Sequence, residues 1–297
     1  MTQQVVTPDS QIEAPHRIGE TRRFLRVFLG RGIVVFGIVI VFIFLILAIF
    51  GPWIAPYHPN EISPNRLLTP NAQHWLGTDN FGRDSLSRLI IGSRNSLLVG
   101  VVAVGIAAGI GIVAGMVAGY YGGLINAFIM RIVDALMSFP MILLALLIAG
   151  LLGSGLSNVM IALGVAMIPV YARLMCGQVL QIRENDYVLA GRSMGSGNWR
   201  LMFRHILPNS FPPLIVLVTM QIGSAVLAEA GLSYLGIGIT PPDPSWGAMV
   251  YNGFQFLITN PLLSFIPGVA IMLIVFAFSM VGDGLRDALD PRLRGTL

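Results

Sequence analysis

The residues that could do chemistry in this chain are few, and their types exclude several reactions. All 18 basic residues are arginine, so no lysine can grip nucleotide phosphates in a Walker A loop or form a Schiff base. The four histidines, His16, His58, His74 and His205, lie outside the strongly apolar stretches, and no cluster has metal-ligand spacing. We therefore expect no catalytic residue, no metal site and no cofactor bound by this chain.

A few ionisable residues fall inside apolar stretches, where charge is expensive. Arg131 and Asp134 are three residues apart and are expected to pair on one helix face, with an ion or proton relay as the alternative. Arg173 can reach lipid headgroups from the inner end of its stretch. Glu229 is expected to contact substrate or to form a packing or gating pair with an arginine that the sequence does not identify.

The polar stretch 183–209 is the most informative part of the sequence. We predict that Asp186 caps a short helix over 187–194, that Gly195 and Gly197 end it, and that a second short helix runs from Asn198 to Pro208. An amphipathic helix of this kind suits a groove on a partner protein, with lipid headgroups as the alternative. The helix, turn and helix together would expose the apolar residues Trp199, Met202 and Phe203 and the arginines Arg192, Arg200 and Arg204.

Composition identifies the setting in which these residues work. The 297 residues are 55% hydrophobic and only 11% charged, with mean hydropathy +0.78, against about 25% charged in an ordinary soluble domain. So few charges cannot cover a soluble protein of this size. The single cysteine, Cys176, excludes an intramolecular disulfide.

Six apolar segments are long enough to cross a bilayer, which predicts an all-α integral membrane protein with six transmembrane helices. The first would end at Gly51-Pro52, and the third would kink at Pro140. The predicted spans cover residues 32–50, 96–119, 124–151, 158–180, 210–232 and 262–282. The predicted organisation is a tail with an interfacial helix (1–31), a membrane domain (32–282) with outer loops 51–93 and 236–261 and a cytoplasmic loop 181–209, and a tail (283–297).

The arginines orient these spans. With the N-terminus inside, four arginines fall in outer segments and the other fourteen of the 18 in inner ones, so both termini are predicted to be cytoplasmic. Those assigned to the outside are Arg66, Arg83, Arg88 and Arg94. The basic charge is thus explained by membrane topology, and we expect lipid but no nucleic acid as a partner.

Small residues on the second span suggest a close helix contact. Glycines recur at positions 105, 109, 111, 115 and 119, and such spacing lets another helix approach closely. The partner helix is either one from this chain or one from a second membrane subunit.

The chain resembles a known family, the permease subunits of dipeptide and oligopeptide ABC importers. Ala190, Gly195, Leu207 and Pro208 match the family's "EAA" coupling loop, whereas Leu189, Gly191 and His205 depart from it. Further blocks that look like the family are 76–79 with 82–84, 118–123, 130–134, 241–247 and 282–293.

The resemblance implies a MetI-like ABC importer permease fold in the inner membrane. It also implies a heterodimer with a second permease, two ABC ATPase subunits that bind ATP and magnesium, and an extracytoplasmic substrate-binding protein. The coupling-loop residues would then be Asp186, Ala190, Gly191, Arg192, Gly195, Arg200, Arg204, Leu207 and Pro208. The expected cargo is di- or oligopeptides, with nickel complexes, glutathione or opines as the alternatives.

Two other functions compete with this interpretation. An ion-driven secondary carrier would depend on Asp134 and Glu229, but no internal repeat is evident. A membrane serine hydrolase would use Ser154, but no histidine lies in a predicted span to act as its base.

Overall fold

The computed structural model describes residues 20–239 and 242–290, and within these ranges the chain is a helix bundle without strands. A turn of π-helix at Leu201–Ile206 lies inside the helix that covers Asn198–Tyr234. The helices are α1 (Glu20–Leu29), α2 (Gly32–Ile54), α3 (Ser85–Tyr121), α4 (Gly123–Met137), α5 (Met141–Leu152), α6 (Leu156–Ile182), α7 (Asp186–Ser193), α8 (Asn198–Tyr234), α9 (Trp246–Phe254) and α10 (Leu262–Leu289).

Five of the described helices, α2, α3, α6, α8 and α10, are long and apolar enough to cross a membrane. The predicted third span is instead two helices, α4 and α5, which meet at 90°. The six predicted spans are therefore five continuous helices and one broken pair. The break falls at Pro140, where a kink was predicted, and it is much sharper than a kink.

Several predicted boundaries move because proline does not end these helices. Helix α2 continues past Pro52 to Ile54, and α8 runs through Pro208, Pro212 and Pro213. The predicted second short helix is therefore the first part of a span.

The loops in the structure are shorter than the sequence predicts. Helix α3 already begins at Ser85, where the Asp84 carboxylate accepts the Ser87 N–H at 2.8 Å, so residues 85–93 are not loop. The outer loop 236–261 contains α9, and α10 extends the sixth span into the predicted tail. The rest of both predicted tails (1–19 and 291–297) and Pro241 of the block 241–247 lie outside the described residues.

The most extensive helix contact in the described chain joins α3 and α6. A Cβ atom added to Gly111 would lie 2.6 Å from Tyr171 Cβ, and one on Gly119 would lie 2.7 Å from Val179 Cβ, while one on Gly115 would collide with the Ala172 carbonyl. Packing within the chain therefore explains three of the five glycines. Gly105 and Gly109 face open space on the same helix.

The first and last described helices meet at one end of the bundle. Helix α1 packs on α10, where Gly284 contacts Val34 and Phe28, and Arg31 forms an ion pair with Asp287. The N-terminal and C-terminal helices therefore share one side of the bundle.

Replacing Gly111 with leucine should destabilise the bundle, because the added side chain has no room between α3 and α6. Overpacking of this kind costs about 1–3 kcal/mol, so the detergent-purified chain should unfold at a clearly lower temperature than the wild type. Gly105→Leu adds the same side chain to the same helix in open space and is the matched control. Equal unfolding temperatures for the two variants would contradict this account of the α3–α6 contact.

Candidate functional site

The segment between α6 and α8 folds as a helix, a tight turn and the start of a long helix, and we call residues 183–206 the coupling loop. Asn185, rather than Asp186, is the N-cap of α7, and Asp186 is its first helical residue. Gly195 has φ +78°, and the Ser196 N–H donates to the Gly191 carbonyl at 3.0 Å. The turn thus requires the left-handed backbone that glycine adopts without strain.

One side of the coupling loop is buried in the bundle. Val188, Leu201 and Ile206 are fully buried, and they pack with the ends of α3 and α6. Met202, which the sequence placed on the exposed side, is also buried. Their neighbours in this core are Met116, Tyr120, Met175, Val179, Ile182 and Leu214.

Polar contacts fix the loop in place. The Tyr120 hydroxyl donates to Asn198 Oδ1 at 2.9 Å, and an Arg183 N–H donates to the Gly119 carbonyl at 2.8 Å. The Arg192 guanidinium lies 5.7 Å from the centre of the Tyr120 ring. These contacts hold the loop against the ends of α3 and α6.

The opposite side of the loop exposes apolar residues to solvent. Trp199 is 66% exposed and stacks on Phe203 with the ring centres 5.4 Å apart. Met194, at the tip of α7, is 80% exposed, a position that sequence reasoning did not include. We call Met194, Trp199 and Phe203 the exposed patch. A patch of this kind, presented on a rigid support, suits a protein groove.

The other predicted loop residues lie around this patch. Arg192, Arg200 and Arg204 are exposed, as are Ala190 and Pro208, while Leu207 is partly buried. Gly191 is buried, and a Cβ atom there would lie 3.0 Å from Leu201 Cδ2. The departure from alanine at this position therefore fits a close contact between α7 and α8.

Glu229 of α8 is completely buried and contacts no arginine of residues 20–239 and 242–290. Its carboxyl oxygens accept from Ser233 Oγ at 2.6 Å and from Ser96 Oγ at 3.1 Å. Ser233 Oγ in turn accepts the Ile239 N–H at 3.2 Å. The expected arginine pair is therefore wrong: Glu229 joins α3 and α8 to the segment that leads to α9.

The predicted pair between Arg131 and Asp134 is also corrected. Asp134 forms an ion pair with Arg173 of α6, and both side chains are about half exposed. Arg173 therefore reaches Asp134 instead of the headgroups. The packing of α4 against α6 brings Asp134 next to Arg173, while the Arg131 side chain is exposed.

The segment between α2 and α3 is ordered by polar contacts. His74 Nδ1 lies 2.9 Å from Asp84 Oδ1, and Arg83 Nε donates to Asp79 Oδ2 at 2.7 Å. Buried Arg88 donates to the Pro59 carbonyl at 2.9 Å. Residues 55–84 thus form a fixed surface on which Trp75 is 71% exposed.

The α9 segment is attached to the same end of the bundle. Trp246 is fully buried and donates to the Leu89 carbonyl at 3.0 Å, while Asn95 donates to the Pro244 carbonyl at 2.7 Å.

The described ranges contain no group of His, Cys, Asp and Glu residues able to hold a metal ion.

Most of the chain matches known protein families. Residues 111–295 match the family described as binding-protein-dependent transport system inner membrane component. Residues 20–70 match the N-terminal transmembrane domain of oligopeptide transport permease C.

Curated relatives match over nearly the whole chain. The dipeptide transport system permease protein DppC of Alkalihalophilus pseudofirmus is 43% identical over 87% of this chain and 85% of its own. The probable D,D-dipeptide transport system permease protein DdpC of Escherichia coli K12 is 43% identical over 90% of both. The glutathione transport system permease protein GsiD of Escherichia coli O1:K1 is 40% identical over 98% of this chain and 95% of its own.

A solved structure shows the same fold. The inward-facing MetNI methionine ABC transporter contains a chain that superposes with a TM-score of 0.57 at 20% identity. The match covers 68% of this chain and 96% of the solved one. At this identity the likeness concerns the fold alone.

Replacing Glu229 with alanine should destabilise the protein, because the hydroxyls of Ser96 and Ser233 lose their buried acceptor. Leaving buried polar groups unsatisfied costs about 1–3 kcal/mol. Glu229→Gln keeps an acceptor oxygen in the same place and should lose much less. Thermal unfolding of the purified protein in detergent measures both, and an alanine variant as stable as the glutamine variant would contradict this role.

Proposed function

Because the chain belongs to the inner-membrane components of binding-protein-dependent transport systems, we propose that it is the permease subunit of an ATP-driven importer of dipeptides and oligopeptides. The chain is a multi-pass inner-membrane protein. The observation that carries the proposal is the coupling loop, which is buried on one side and exposes Trp199 and Phe203 on the other.

The energy for transport comes from other chains in this account. A chain without lysine has no Walker A lysine, so ATP and its magnesium bind to two ATPase subunits below the membrane. Each ATPase presents a groove, and the exposed patch of this chain occupies one of them. A second, related permease occupies the other, which makes the membrane part a heterodimer.

The transport cycle is one of alternating access. ATP favours the closed ATPase dimer, so binding draws the two coupling loops together and turns the cavity outward. The loop transmits this movement because Tyr120, Arg183 and the buried side chains tie it to α3 and α6. Hydrolysis returns the cavity to the inward-facing state.

We assign the coupling-loop end of the bundle to the cytoplasm, with both termini. The count of arginines supports this orientation, and so does the pairing of Arg31 with Asp287 at one end. The ordered outer segment 55–84 and the α9 segment then face the binding protein. Their buried anchors, Arg88 and Trp246, support a fixed docking surface.

The peptide cargo rests on the relatives, whose names specify dipeptides, D,D-dipeptides and glutathione. Glutathione is itself a small peptide, so it remains the second candidate within the same class. An ion-driven carrier is less well supported, because Asp134 is paired with Arg173 and Glu229 is held by serines.

The direct test is uptake by the assembled importer in proteoliposomes. Radiolabelled alanyl-alanine should enter only when ATP, the ATPases and the binding protein are all present, and an uncoupler should leave uptake unchanged. Uptake that survives without the ATPases and collapses with the uncoupler would contradict the proposal. Unlabelled glutathione as a competitor distinguishes the two cargoes.

Replacing Gly195 with leucine should uncouple ATP hydrolysis from transport. The change imposes a left-handed strain of about 1–2 kcal/mol and places a side chain in the open space beside the exposed patch. We expect uptake per ATP hydrolysed to fall severalfold.

Gly236→Leu is the matched control, because Gly236 has φ +82° in open space and ends α8 in the same kind of turn, in which the Gly236 N–H donates to the Ser233 carbonyl and the Ile237 N–H to the Leu232 carbonyl. It carries the same strain at a position away from the coupling loop and should keep the wild-type ratio of uptake to hydrolysis. Normal coupling in the Gly195 variant, at normal protein levels, would contradict the role of the loop.

A further inference from the structure

The ion pair between Asp134 and Arg173 is unusual because this chain leaves it uncovered. The Asp134 side chain is 58% exposed and the Arg173 side chain 51%. Asp134 belongs to α4, one half of the broken span, and Arg173 belongs to the continuous span α6. The charges therefore meet on the surface of the membrane bundle rather than in its core.

The pair also lies deep along the bundle. Arg173 is the one charged residue in α6, and at 1.5 Å per residue it lies about 14 Å from the end of α6 at Ile182. That end carries the coupling loop, as the bond from Arg183 to Gly119 shows. Helix α6 has 27 residues, which is about 40 Å, and a hydrocarbon layer is about 30 Å thick, so a helix centred in the layer carries Arg173 inside it. Charges at such a depth are found facing a protein interior or a water-filled cavity, not lipid.

The broken span gives a second, independent indication of water at the same place. The break at residues 138–140 follows Asp134 by one turn, and Phe139 at its centre is 56% exposed. Irregular backbone at membrane depth is tolerated where it is buried in protein or lines a water-filled cavity. This chain does not bury the break, so the same cavity would serve both the break and the ion pair.

We propose that Asp134 and Arg173 form a binding site on the translocation pathway for the charged termini of a peptide. A free dipeptide carries an ammonium group and a carboxylate a few ångströms apart, which match an aspartate and an arginine. In the empty pathway the two side chains neutralise each other, so neither charge is left unpaired. Arg131, three residues before Asp134 and also exposed, supplies a further positive charge for an acidic side chain.

This site rests on the proposed importer function and assigns it a place in the chain. It predicts that the pair is reached from water and that peptide competes for it. A pair that merely joins this chain to the second permease would be covered in the assembled transporter. The two possibilities therefore differ in whether water reaches these residues and in whether removing both charges restores transport.

Cysteine labelling of the complete transporter in proteoliposomes measures accessibility. The wild type is the blank, because its single cysteine, Cys176, is buried. Arg173→Cys should react with a membrane-impermeant, water-soluble maleimide about tenfold faster than Phe42→Cys, and alanyl-alanine delivered by the binding protein should slow the reaction. Phe42 is 62% exposed in the middle of the apolar helix α2, so it reports a lipid-facing position. A reaction as slow as that of the Phe42 variant, or one that peptide does not change, would overturn the proposal.

Transport kinetics test the charges themselves. Asp134→Asn and Arg173→Gln should each raise the KM for alanyl-alanine uptake severalfold with a smaller effect on the maximal rate. The double variant Asp134→Asn/Arg173→Gln, which leaves no unpaired charge, should be as impaired as the single variants. Recovery in the double variant would show a structural pair and overturn the site.

These outcomes are separable from failure of the proposed function. If wild-type uptake depends on ATP and the ATPases while the kinetic and labelling results are negative, the importer stands and the site falls. If wild-type uptake is independent of ATP, the proposed function itself fails.

Discussion

The close approach of α3 and α6 is the constraint on which the rest of the structure depends. Gly111, Gly115 and Gly119 leave no room for side chains at this contact, and the ends of the same two helices hold the buried side of the coupling loop. In the proposed importer a movement of the loop would pass to both helices, because closely packed helices shift as units. The contact that stabilises the bundle would then also transmit force.

The low dielectric inside the bundle determines which partners its ionisable groups need. Glu229 is fully buried and satisfied by serine hydroxyls from α3 and α8, so its contacts hold helices together. Asp134 and Arg173 neutralise each other but remain exposed beside a break in a span. Burial with hydrogen bonds is typical of a structural group. An exposed ion pair within the membrane needs water or a protein partner around it.

The sequence predicted the membrane class, the apolar segments and the glycine turn of the coupling loop, because these depend on composition and local backbone preference. It failed where partners come from distant segments. The i, i+3 spacing favoured Arg131 for Asp134, but the packing of α4 on α6 brought Arg173 closer. Glu229 was expected to pair with an arginine, but it contacts Ser233, four residues further along α8, and Ser96 of α3, whose distance of 133 residues in sequence hid the contact. Proline was read as a helix end, although membrane helices tolerate it.

The central claim is that the exposed patch of the coupling loop engages an ATPase subunit. The most direct measurement replaces Trp199 with a photo-crosslinking phenylalanine analogue in cells that express the whole transporter. Illumination should attach this chain covalently to a Walker-motif ATPase, identified by mass spectrometry of the adduct. Adducts with lipid or with the second permease alone would contradict the account.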